Sequence, residues 1–160
     1  MRKIEQLLRL VRESHERPMT GVSRPVELVD REALGITFIG HSSFLLQVDG
    51  RKVLIDPVFS KRLILLRRQR RPGVLMEELP PIDLVLLTHA HMDHLDLASL
   101  RRVVRATRRL TGRAPEVVVP RGTPSFATVS GAGAWVGPMM KLPSAPGGGS
   151  VPSGSSVARG

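Results

Sequence analysis

The sequence predicts an α/β (α+β) fold built on a mixed sheet, and three observations predict it. An apolar run at residues 84–87 stops at Thr88, passes through a polar loop and enters a helix-period segment at 97–110. A second apolar run follows at 116–119. A strand–helix–strand unit of this kind implies two parallel strands joined by a right-handed crossover. Upstream, apolar runs at 36–39, 44–48 and 52–55 are separated by Gly40 and by Asp49-Gly50. An Asp-Gly pair between apolar runs is a strong signal for an antiparallel hairpin. The chain has 160 residues, enough for one domain with its own core.

Taken in order, residues 2–17 read as an amphipathic helix, because Ile4, Leu7, Leu8 and Val11 recur at helical spacing between charged residues. Pro18 follows its end, and the helix is expected to pack or dock, with His15 exposed near its end. Residues 18–35 are irregular, punctuated by Pro18, Gly21, Pro25 and Gly35. The three short strands come next, and Asp56-Pro57 ends the third; Asp56 read alone is a turn residue before a proline. Residues 58–82 form a long connection whose middle, KRLILLRRQRR, mixes an apolar run with dense arginine. It reads as a short helix at a membrane interface, a lid over a site, or a partly packed surface loop. After the polar loop, Leu97, Leu100, Val103, Val104 and Leu110 fit one face of a helix that Thr111-Gly112 closes. From residue 122 onward the chain is rich in Gly, Pro, Ser, Ala and Thr, and its last stretch, PGGGSVPSGSSVARG, is low in complexity and expected to be disordered. The expected organisation is therefore a lead-in at 1–34, a folded unit at 35–121 and a tail at 122–160.

Composition excludes several functions. With no cysteine, disulfides and thiolate metal sites are ruled out. The net charge of +10 is clustered, in Lys61, Arg62, Arg67, Arg68, Arg70 and Arg71 and again in Arg101, Arg102, Arg105, Arg108 and Arg109. Such clusters attract phosphates, although two solvated Arg-rich surfaces is the preferred reading. Four Phe, one Trp and no Tyr supply stacking on bases poorly, so a nucleic-acid partner is not expected. Charges run through residues 1–18 without an apolar core segment, and no run approaches a membrane span, so a cytoplasmic location is the expectation.

Chemistry concentrates in LVLLTHAHMDHLDL, residues 84–97. His89, His91, Asp93 and His94 fall within six residues at the end of an apolar strand. Imidazole suits zinc and iron, and carboxylate completes such sites. On an extended loop His89 and His91 point the same way and can grip one ion. After the chain turns at Met92, Asp93 and His94 can serve a second. Asp96 either caps the following helix or orients a ligand imidazole.

HAHMDH after an apolar strand resembles the HxHxDH signature of the metallo-β-lactamase superfamily. The flanking text, ITFIGHSSFLLQVDGRKVLIDPVFS, LPPIDLVLLTHAHMDHLDLASL and VVVPRGT, resembles the branch that includes N-acylphosphatidylethanolamine-hydrolysing phospholipase D and L-ascorbate-6-phosphate lactonase-like proteins. The resemblance covers residues 35–123 and implies the N-terminal half of an αββα sandwich. It implies hydrolysis of a phosphodiester, a phospholipid or a lactone through a metal-bound hydroxide. The implied cofactor is zinc, two ions in complete relatives, with iron or manganese as alternatives. His89 and His91 match ligands of the first ion; Asp93, which also orients the hydroxide, and His94 match ligands of the second. Asp56 matches the acidic residue that supports the metal loop, and His41 falls in a GH-[AS]-[ST]-like element with no assigned role. The implied substrate is a small molecule or lipid, with peripheral membrane contact through residues 61–71.

The sequence departs from the family in one respect. Complete members add a further His, a bridging Asp and a last His from later strands, whereas no Asp, Glu or His follows Glu116 here. Each ion is left with two ligands where a catalytic zinc normally has three. A frameshifted or degenerate second half from Thr123 onward is the preferred explanation; a complementing second chain, or local substitution by His41 or His15, are the others. The expectation is a truncated hydrolase of doubtful activity, with a non-catalytic relic or interaction module as the alternative. Half a sandwich would also leave one apolar sheet face uncovered.

Overall fold

The computed structural model describes residues 2–63, 65–89, 91, 93–120 and 134–136. Helix α1 (Arg2–Glu16) precedes strands β1 (Gly35–Gly40), β2 (Ser43–Val48) and β3 (Arg51–Ile55). A small ribbon of β4 (Arg62–Leu63) and β5 (Leu66–Arg67) follows, then β6 (Leu84–Leu86), α2 (Leu97–Thr111), β7 (Glu116–Val119) and β8 (Ala134–Val136). The main sheet has the order β1-β2-β3-β6-β7-β8. Its first three strands are antiparallel, and β3, β6, β7 and β8 run parallel. The mixed α/β sheet is thus the one the sequence predicts. The expected tail at 122–160 lies outside the described residues except for β8, which pairs with β7.

Two tight turns set the register of the antiparallel part. Val48 pairs with Arg51 across Asp49 (φ 48°) and Gly50 (φ 72°), as the Asp-Gly signal predicts. Gly40 pairs with Ser43 across His41 (φ 54°) and Ser42 (φ 62°), a second turn with both central residues left-handed. Neither is the Asn or Gly that marks such a turn, and the sequence showed only a break at Gly40.

The core forms where α2 covers one face of the sheet. Leu100, Val103 and Val104 pack with Leu45, Leu54, Val85 and Val117, all buried. Leu110, expected on this face, is 62% exposed; the buried position one turn earlier is Thr107, whose hydroxyl accepts the Ile82 N–H at 3.2 Å. Asp96 caps α2, accepting from the N–H groups of Ala98 and Ser99, and Gly112 (φ 76°) closes it.

Helix α1 docks as expected, but through its end and not its apolar stripe: Ser14 is buried against β5, Val11 is half-buried, and Ile4, Leu7 and Leu8 are exposed. Two other expectations are corrected. His15 is half-buried rather than exposed, with Nδ1 2.8 Å from the Val11 carbonyl. The KRLILLRRQRR stretch is not a helix; Leu63 pairs with Leu66 in an antiparallel ribbon. Its Arg68 side chain folds inward, donating to the carbonyls of Val58 (2.7 Å) and Arg70 (2.9 Å).

The topology gathers three chain ends at one edge. The C-terminal ends of the parallel strands β3 and β6 lie side by side, with Ile55 paired to Leu86. Because β2 is antiparallel to β3 and pairs Phe44 with Ile55, the His41-Ser42 turn reaches the same edge.

Candidate metal centre

Asp56 is the anchor of this edge. It is 2% exposed, follows β3 and holds a left-handed backbone (φ 43°). Neighbours over-determine that conformation. Its N–H donates to the Leu86 carbonyl at 3.0 Å, and its own carbonyl accepts the Ser43 hydroxyl at 2.5 Å. Ser43, fully buried, also accepts the Val58 N–H at 3.1 Å, so one hydroxyl ties β2 to both sides of Pro57.

The Asp56 carboxylate turns toward the loop after β6. Oδ1 accepts the Thr88 N–H at 2.8 Å; Oδ2 accepts the Thr88 hydroxyl at 2.5 Å and faces His94 Nδ1 at 2.8 Å. These contacts fix two tautomers. A carboxylate can only accept, so His94 Nδ1 carries the proton and Nε2 is left with its lone pair. The Thr88 hydroxyl donates its hydrogen bond to Asp56, so at 2.9 Å its oxygen accepts from His89 Nδ1, which leaves Nε2 as the nitrogen the neutral His89 ring offers. A buried carboxylate that aligns imidazoles through their far nitrogens is the usual outer support of a metal site.

The predicted residues converge. Donor atoms of His89, His91 and Asp93 lie within 4.8 Å of one another, as do those of Asp56, His89 and His94. The His89 and His94 rings are 3.9 Å apart between centroids, and His89 and His91 meet edge to face at 4.7 Å. Asp93 Oδ2 lies 3.8 Å from His94 Nε2 and 3.7 Å from His41 Nε2. The four clustered side chains therefore lie together at this edge, with His89 common to both groups and Asp93 adjoining His94. Asp56 is close enough to join, but its oxygens already accept from Thr88 and His94 in a buried position. Two free Nε2 lone pairs, a third imidazole and a half-exposed carboxylate form a donor set that fits a borderline divalent cation.

The electrostatics agree. A hydrogen bond from its own backbone N–H holds the Asp93 carboxyl below the usual range; partial burial opposes this, and His94, His41 and His91 add to it. At Asp96 burial pushes the carboxyl up, but hydrogen bonds from Ser60 and Ser99 outweigh it and hold it low. Asp96 serves as the helix cap and as an acceptor for the Ser60 N–H (3.1 Å) and the Ser99 hydroxyl (2.6 Å). Of the two roles open to it, capping is the one the geometry bears out.

Thr88 is the residue of this cluster that sequence reasoning missed. The signal was present, a hydroxyl residue placed immediately before the first histidine at a strand end. Its partner Asp56 lies 32 residues away, a pairing only the sheet reveals.

The chain matches the beta-lactamase superfamily domain over residues 51–131. It is 31% identical over 105 residues to an N-acyl-phosphatidylethanolamine-hydrolyzing phospholipase D of Caenorhabditis elegans, covering 61% of this chain and 28% of that protein. It is 38% identical over 60 residues to a metal-dependent hydrolase of Aeropyrum pernix, covering 38% of this chain and 22% of the relative. An uncharacterized protein of Mycobacterium tuberculosis is 37% identical over 84 residues, covering 49% of this chain and 23% of the relative. The chain thus spans about a quarter of the length of these curated relatives. Among solved structures, an isothiocyanate hydrolase from Delia radicum gut bacteria is 25% identical with a TM-score of 0.46, covering 63% of this chain and 41% of that one.

Proposed function

Since the chain belongs to the beta-lactamase superfamily, matched over residues 51–131, we propose that it is a metal-dependent hydrolase or the cation-binding half of one. His89, His91, Asp93 and His94 hold the cation, and Asp56 and Thr88 position the imidazoles. The observation that carries this reading is the buried Asp56 carboxylate, which engages Nδ1 of His94 directly and Nδ1 of His89 through Thr88, so that Nε2 is the nitrogen each neutral imidazole offers to a cation.

Zinc is the proposed ion, with iron or manganese as alternatives; when bound it acidifies water and polarises a carbonyl or phosphoryl oxygen. Asp93, half-exposed beside the imidazoles, orients the attacking water by accepting its hydrogen bond. The proposed substrates are a phosphodiester, a phospholipid or a lactone, and the match to a relative named for hydrolysing a phospholipid supports the lipid class. Exposed Leu65 and Leu66 beside exposed Lys61 and Arg62 support peripheral contact with an anionic lipid surface. None of the helices among the described residues is long and apolar enough to cross a membrane, and action in the cytoplasm is part of the proposal.

One fact favours the non-catalytic alternative. Residues 117–160 contain no Asp, Glu or His, so that stretch adds no carboxylate or imidazole to the four clustered ligands. Residues 35–121 are then a half-domain that binds metal without turnover. The test is elemental analysis of the purified chain with zinc-loaded turnover on generic phosphodiesters, phospholipids and lactones. Metal uptake and turnover, both lost in His89→Ala and Asp93→Ala, are the expected results. Metal uptake without turnover selects the alternative, and a chain that takes up no metal overturns both.

A further inference from the structure

The sequence leaves the second ion with two ligands, Asp93 and His94, and the β1–β2 turn brings a third imidazole to them. His41 Nε2 lies 3.7 Å from Asp93 Oδ2, the same oxygen that lies 3.8 Å from His94 Nε2. The His41 and His94 rings are 6.2 Å apart between centroids and tilted by 48°. With zinc–ligand bonds of about 2.0–2.2 Å, two ligand atoms of a tetrahedral site are separated by roughly 3.4 Å. Each measured separation is a few tenths of an ångström wider than that edge. His41 and Asp93 are both about half exposed, 46% and 42%, so their side chains can close that gap without disturbing the core.

The backbone gives the independent observation. His41 and Ser42 both sit in the left-handed region, where a two-residue hairpin turn calls for Asn or Gly. Gly40 before them adopts φ 118°, and a Cβ there would come within 2.9 Å of Arg68 Nη2. Arg68 is itself pinned by the Val58 and Arg70 carbonyls, and Ser43 on the other side is tied to Asp56. The turn is clamped at both ends, and of its two left-handed residues the histidine is the one that faces Asp93. Non-glycine strain held in place by its surroundings is characteristic of functional positions.

The geometry points to His41 as a metal ligand, the third donor of a His41–Asp93–His94 set that shares Asp93 with His89 and His91. This rests on the metal-binding reading above, and it gives each ion three donors from this chain alone. It also gives this left-handed turn position a reason to be histidine instead of Asn or Gly.

The test compares the full chain with its His41→Asn and His41→Gln variants, titrating the metal-free proteins with zinc and with cobalt(II). Wild type is expected to take up two ions. His41→Asn keeps the first ion and binds the second at least about tenfold more weakly, with loss of part of the cobalt visible absorption. The metal-free His41→Asn protein melts at or above wild type, because Asn tolerates the left-handed turn better than His. His41→Gln, which lacks that advantage, loses the second ion without the gain in melting temperature. Either variant binding two ions with wild-type affinity overturns the assignment of His41 while leaving the four-residue site intact. A wild-type chain that takes up one ion, unaffected by His41→Asn, also overturns it. Uptake of no ion by wild type removes the metal-binding reading itself.

Discussion

Asp56 shows how little of a site one residue discloses in a sequence. In the text it is a carboxylate before Pro57, a pattern that turns produce routinely. In the fold it receives Thr88 twice and His94 once, so a single buried side chain sets the orientation of two imidazoles. The HxHxDH cluster was legible because its four members are close in sequence. Asp56, Thr88 and His41 come together only through β-sheet pairing. Replacing Asp56 with Asn keeps the volume but puts an NH2 group opposite at least one donor. Metal affinity should fall by about 10- to 100-fold, the usual cost of losing an outer partner of a metal-binding histidine. The metal-free protein should lose about 1–3 kcal/mol from the unsatisfied buried donors. Competition titration against a chromophoric chelator checks the first, and denaturant unfolding of the metal-free protein the second. Wild-type affinity in Asp56→Asn would mean that His89 and His94 are held by something other than this carboxylate.

At the scale of the element, helix α2 was the best predicted and the β4–β5 ribbon the worst, for physical reasons. Helix α2 carries its limits in its own sequence: an Asp that can cap, an apolar face with a 3.6-residue period, and a Gly that can turn left-handed. The ribbon has an apolar run without period and no turn residue between its arms, so neither template fits it. The β1–β2 turn was hidden for the same reason, since His41 and Ser42 lack the Asn or Gly that marks such turns. Asp96 joins two elements, because its carboxylate caps α2 and also accepts the Ser60 N–H from the segment after β3. Asp96→Ala should therefore exceed an ordinary cap deletion and destabilise the fold by about 2 kcal/mol, at the upper end of cap effects. Gly112→Ala should cost about 1 kcal/mol and no more, because an added Cβ there meets nothing within 4 Å and the penalty comes from φ 76° alone. Urea unfolding followed by far-UV circular dichroism separates the two; equal losses would show that the Ser60 tie contributes nothing.

On the scale of the whole molecule, the sheet is apolar on both faces while α2 covers one. Ile39, Leu45, Leu54, Val85 and Val117 point into the core. The alternate positions carry Ile36 and Phe38, which are 63% and 60% exposed, and Phe44, whose ring lies 5.2 Å from that of Phe38. Cross-strand pairing of Ile36 with Leu46 and of Phe38 with Phe44 makes this one continuous patch, not scattered single residues. A sheet with two apolar faces is built to be covered on both, and among the described residues no helix lies on this one. The uncovered face was legible as a consequence of a half sandwich; its residues were not, because short strands with apolar residues at both parities do not disclose which parity is inward. An exposed apolar patch of this kind drives association. At rising concentration the chain should therefore sediment heavier than its 17.5 kDa monomer mass. The double substitution Ile36→Thr with Phe38→Thr places strand-favouring threonine at both positions and leaves Ile39 and Leu45 untouched on the other side. It should shift sedimentation toward the monomer and leave zinc uptake unchanged, because neither residue is one of the clustered donors or hydrogen-bonds to one. If wild type sediments as a monomer at every concentration, the face is covered in solution by residues of the same chain, and the double variant should then lower stability instead of association.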